Sequence, residues 1–126
     1  MTEGVATLSR ERLWAMACYV PVVNLVICTI CSVRMVNSVL CLFHLRQGLV
    51  LFVFWFVTVL VGFLSQTLSL MLLGVVLLLH LWGAISAYKQ SQNLLPLVGN
   101  FALKIPPYYL YKRLTGKDPE KNNPIT

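Results

Sequence analysis

Charge is what this sequence has least of. From Gln47 to Tyr88 run forty-two residues without one Asp, Glu, Lys or Arg. A soluble fold of ordinary composition would place charges along any such length, so the run excludes one and points to lipid as the main solvent. Carboxylates are scarce throughout: the chain has four Asp and Glu against ten Lys and Arg, and none of the four lies within the long apolar runs. Without them, neither an acid–base pair nor a metal triad can be assembled inside a membrane from this chain, and no cofactor is implied. Cysteine is limited to Cys18, Cys28, Cys31 and Cys41. Cys28-x-x-Cys31 has the spacing of half a zinc or redox site, yet no second pair completes it, so the four read as small hydrophobic residues. Cys41, beside an inferred membrane surface, is also a position for lipidation. A cleaved signal peptide fits poorly, because Arg10 and Arg12 are offset by Glu3 and Glu11 and no Ala-x-Ala site precedes Arg34.

What is present is apolar text with a few interruptions. As a single helix the uncharged run would be about 60 Å long, twice the ~30 Å hydrocarbon core of a bilayer, so it must fold back. The place to do so is Gly62 to Ser69, where a helix-weakening glycine and several small or amide polar residues break the pattern. The expected fold is an all-α integral membrane protein: a transmembrane hairpin of helices over 39–64 and 68–88, a bent N-terminal membrane segment over 13–33, and short interfacial helices within 94–114. Residues 1–9 read as a mobile terminus, with Ser9 as the N-cap of the first helix, and 115–126 as a disordered tail.

Basic residues set the orientation. The turn near Gln66 carries none, whereas Lys89, Lys104, Lys112, Arg113, Lys117 and Lys121 follow the second span. By the positive-inside rule the turn lies outside and the C-terminus is cytoplasmic, in what reads as a bacterial inner membrane. Pro21 and Asn24 interrupt the segment 13–33. If that segment enters and leaves on the cytoplasmic face, every basic flank stays inside; a kinked full span is the alternative. The net charge of +6 falls at the ends of apolar segments. It therefore suits anionic lipid headgroups, and no nucleic acid is expected as partner.

Four sets of residues stand out as candidate sites. Phe43, His44, Arg46, Gln47 and Gly48 form a mixed cluster at the start of a span, suited to headgroup depth, where Arg46 can either anchor the topology or grip a phosphate or carboxylate through paired hydrogen bonds. Gly83 and Ala87, four apart, form a small-residue face for close helix contact, against 49–64 or another subunit. Asn24 and His80 are intramembrane polar groups; the favoured role for His80 is packing, through a hydrogen bond to Gln66, Asn24 or a backbone carbonyl, with a proton or ligand contact as the alternative. Leu95, Pro96, Leu97, Val98 and Gly99 form a short apolar motif expected in the cytoplasmic interface.

Glu11 to Ala15 with Tyr19-Val20-Pro21, then Phe43 to Phe52, then Gly83 to Ala87 ahead of Leu95 to Gly99, together resemble the Tic-twenty-like family of small membrane proteins. The resemblance covers roughly residues 10 to 103, its most specific part being Phe43-His44-Leu45-Arg46-Gln47-Gly48, and the chain is similar to the short bacterial branch. Relatives on other branches include a chloroplast inner-envelope translocon subunit and magnetosome membrane proteins of the Mam and Mms type. That short branch is of unknown function; the favoured reading is a non-enzymatic scaffold or accessory subunit in membrane organisation, making helix contacts with itself or other membrane proteins, and the alternative is an oligomeric channel or protein-translocon subunit. The near absence of a polar face on 49–61 and 70–79 weighs against a pore.

Overall fold

A computed structural model describes residues 2–119, with side chains from Ser9 onward. Six helices follow in order: α1 (Thr2–Ala17), α2 (Asn24–Arg34), α3 (Val39–Gly62), α4 (Gln66–Tyr88), α5 (Val98–Ala102) and α6 (Tyr109–Thr115). The described residues contain no strand. Two of the helices, α3 and α4, are long and apolar enough to cross a membrane; at 1.5 Å per residue each is about 35 Å long.

Serines set the starts of both long helices. Ser38 accepts a hydrogen bond from the Cys41 amide and caps α3, and Ser65 accepts one from the Leu68 amide and caps α4. Between them the turn is only Phe63 to Ser65, and Ser69 donates back to the Thr58 carbonyl at 2.8 Å, pinning the two helices near their closed end.

The first helix differs from expectation. It begins at Thr2 and runs through Ser9, which is an interior residue and not a cap. Ser9 is followed by Arg10-Glu11-Arg12, all competent helix formers, so nothing there forces a start. Helix α1 stops at Ala17, and the chain reverses over Cys18 to Val23. Pro21 lies in this reversal, and its carbonyl accepts from the Val23 amide at 2.8 Å. That three-residue turn puts Val22 at φ 72°, a conformation that a β-branched side chain tolerates poorly. Replacing Val22 by glycine should remove that strain and raise stability by about 1 kcal/mol, measured as a higher unfolding temperature in detergent; an unchanged or lower value would mean that Val22 is not strained.

From the reversal α2 runs back beside α1. The two ends meet again: Arg10 and Trp14 of α1 line a single groove with Arg34 and Met35 at the end of α2. The α1–α2 pair packs on only one half of the hairpin. Arg12 lies over the Tyr88 ring at 5.1 Å, Cys41 donates to the Glu11 carbonyl, and Tyr19 and Asn24 reach α3 at His44 and Gly48. In α3 the buried positions are therefore concentrated from Leu40 to Leu51, and in α4 from Val76 to Ala87. Towards the closed end the hairpin stands bare, with Phe63 84% and Leu64 90% exposed.

The four cysteines are free and buried, and they join Ala15, Tyr19, Leu45 and Leu51 in the core. Cys41 thus faces α1 and not a membrane surface. Leu95, Val98 and Ala102 are buried in or beside that core, while Pro96 and Leu97 are turned outward. The 94–114 segment is therefore a packed cover over the open end of α3 as well as an exposed surface. Helix α6 ends at Gly116 in the left-handed conformation, and Lys112 pairs with Asp118 at 3.0 Å. The expected disordered tail extends past this into 120–126, outside the described residues.

Candidate functional site

The functional candidates converge on the inner face of α3. His44, Gln47 and Gly48 fall at i, i+3 and i+4, one helix face, and that face meets the α1–α2 reversal. His44 and Gln47 are almost fully buried. Within the chain, His44 and Gln47 are buried against the α1–α2 reversal and the segment after α4, and both find hydrogen-bonding partners there.

A hydrogen-bonded line carries the contact. His44 Nε2 lies 2.8 Å from the Ser91 carbonyl, which can only accept, so Nε2 bears the hydrogen. In the neutral ring Nδ1 then accepts, and the Tyr19 hydroxyl donates to it at 2.7 Å. The same hydroxyl lies 3.1 Å from Gln47 Oε1, and the Gln47 amide donates to the Asn93 carbonyl at 3.5 Å. The carbonyls arrive by way of the end of α4: Gln90 takes φ 56°, the Ser91 amide bonds back to the Ser86 carbonyl, and the chain turns to bring Ser91 and Asn93 over α3.

Glycines let the elements approach. A Cβ on Gly48 would run into the Cys18 carbonyl oxygen and crowd Cys28 Sγ, and the Gly48 carbonyl accepts from Asn24 Nδ2 at 2.9 Å. A Cβ on Gly83 would run into the Tyr19 ring. Gly83 is thus a close-approach position, but what it admits is Tyr19 of the reversal instead of residues 49–64 or a second subunit. Ala87 is buried in the same core. Gly99 fits tightly against Leu94, which shapes the bend leading into α5.

The remaining candidates sit apart. Arg46 is partly buried and its Nη1 donates to the Ile105 carbonyl at 3.3 Å, so it fastens the segment before α6, and among the described residues it grips no carboxylate. Phe43 packs edge-on against the His44 ring at 5.1 Å. His80 Nδ1 lies 2.7 Å from the Val76 carbonyl one turn back; of the three partners expected for it, the backbone carbonyl is the one found. Tyr19 was missed as a site residue. A tyrosine in apolar text carries a hydroxyl that must find a partner when buried, and that was the available signal.

Among the described residues, no group of three or more His, Cys, Asp or Glu is placed to hold a metal ion. No family model, curated protein or solved structure matches the chain.

Proposed function

We propose that this chain is a small integral membrane protein of the Tic-twenty-like kind, acting as a non-enzymatic scaffold or accessory subunit in membrane organisation. In this reading α3 and α4 cross the bilayer, the α1–α2 pair enters and leaves on the cytoplasmic face, and α5 and α6 cover that face. The observation that carries it is the division of labour along the hairpin. The chain's own polar groups, Tyr19, Asn24, His44 and Gln47, bond one another or backbone carbonyls near the open end, and the closed end offers apolar side chains outward. Polar side chains turned onto one another and onto the backbone leave no polar stripe to line an aqueous path, while bare apolar helix faces suit lipid or another helix. The return of Arg10 and Arg34 to one groove supports the re-entrant placement, since both flanks then stay on one side. Anionic headgroups are the partners of the basic residues gathered there. The stretch Phe43 to Gly48 that carries the family resemblance is also the stretch on which the reversal is seated.

Topology mapping tests the reading. Single cysteines introduced at Arg10, Thr67 and Thr115 in a cysteine-free background should label with an impermeant maleimide so that Arg10 and Thr115 share the cytoplasmic side and only Thr67 reacts from outside. Arg10 labelling together with Thr67 would refute the re-entrant segment. Recovery of the chain in the soluble fraction without detergent would refute membrane insertion altogether.

A further inference from the structure

His80 stands outside that hydrogen-bonded line and is left partly unsatisfied. His80 is only 3% exposed, and its Nδ1–H is committed to the Val76 carbonyl at 2.7 Å. Its Nε2 is buried too and meets no hydrogen-bonding partner among the described residues. With Nδ1 carrying the hydrogen, Nε2 of the neutral ring holds a lone pair and calls for a donor. His80 also lines a groove of about 470 Å³ between α1 and α4, whose other walls include Leu13, Val20, Pro21, Leu77 and Leu81. That volume falls in the ~300–1,000 Å³ range of small-molecule sites, which are typically apolar with a few placed polar groups.

We propose that this groove binds a lipid-soluble molecule that has an apolar body and a hydroxyl donor, the hydroxyl bonding to His80 Nε2. The groove supplies one acceptor and apolar walls, so it matches a neutral ligand with one donor at its end. Ionic headgroups are a poor match, because no charged side chain lines the groove. Depth argues the same way. His80 lies eight residues before the end of α4, about 12 Å of helix, which is below the phosphate level in the proposed orientation and within reach of molecules dissolved in the hydrocarbon. Nε2 is closed to solvent, so the hydroxyl must part the side chains that cover it; a ligand that brings its own apolar surface replaces the contacts it disturbs, as water cannot. Two sources share this chemistry, a phenol of the quinol type and a neutral lipid alcohol of the diacylglycerol type.

The site rests on the membrane reading, and the test separates the two. The full chain is reconstituted in phosphatidylcholine nanodiscs, whose lipid carries no hydroxyl; failure to incorporate would count against membrane insertion, before the groove is probed. Binding is then measured for 4-dodecylphenol and its methyl ether, and for a diacylglycerol and its methyl ether, each corrected for uptake by empty discs. At least one hydroxyl compound should bind saturably, one per chain, and about tenfold more tightly than its ether, the size of one hydrogen bond to a buried neutral acceptor. Which pair shows the preference identifies the source. His80→Leu should reduce the hydroxyl compound to the level of its ether, and Leu81→Trp, which fills the groove without touching His80, should abolish saturable binding of both. Equal binding of hydroxyl and ether in the wild-type chain, or a preference that survives either substitution, would overturn the proposal. So would occupation of the groove by a second copy, seen as a wild-type dimer that Leu81→Trp dissociates.

Discussion

Gly48→Ala should lower stability by about 3 kcal/mol and expose Cys18 and Cys28 to maleimide in detergent-solubilised protein. The added Cβ meets the backbone oxygen of Cys18, and a backbone group at a chain reversal cannot rotate aside as a long side chain does. Relief requires the reversal to lift from α3, which would also break the bond from Asn24 Nδ2 to the Gly48 carbonyl and cost the amide its partner. Gly74 provides the control: a Cβ there meets nothing within 4 Å, so Gly74→Ala should be neutral or slightly stabilising. If the two alanines cost the same, the close contact at Gly48 does not exist.

The second large effect is a reciprocal one. Tyr19→Ala removes a buried ring together with the donor to His44 Nδ1, at a cost of about 3–5 kcal/mol, and Gly83→Ala drives a methyl into the space which that ring occupies. Each single change should destabilise, yet the double variant should be less damaged than the sum of the two by at least about 1 kcal/mol, since the methyl then partly fills the hole. Additive losses in the cycle would mean that Gly83 and Tyr19 do not touch. Tyr19→Phe separates ring from hydroxyl: packing on Gly83 is retained, and the remaining loss, about 1–3 kcal/mol, reports His44 Nδ1 left without its donor.

Local chemistry was legible in the sequence; the pairing of elements was not. The break at Pro21 to Asn24 and the fold-back after Gly62 follow from residues acting on their own backbone, and each can be read from a few neighbouring letters. Ser9 misled, because a residue that caps a helix well also sits harmlessly inside one, and only its surroundings decide. The meeting of Tyr19 with His44, twenty-five positions on, and of His44 with a carbonyl forty-seven positions further, depends on how three helices and a left-handed turn at Gln90 fit together. In a chain so uniformly apolar, hydrophobic periodicity cannot say which face of α3 turns inward, so the packing of His44 and Gln47 against the reversal is not legible from the sequence. Gly83 posed the same difficulty: spacing shows that something can come close but does not say what.

The seating of α1 and α2 against one half of the hairpin has a consequence for the surrounding lipid. In the proposed orientation the molecule is four helices wide through the cytoplasmic leaflet and two helices wide through the opposite one, each helix about 10 Å across. It therefore displaces roughly twice as much lipid from the near leaflet as from the far one, and a bilayer crowded with copies would carry unequal areas on its two sides.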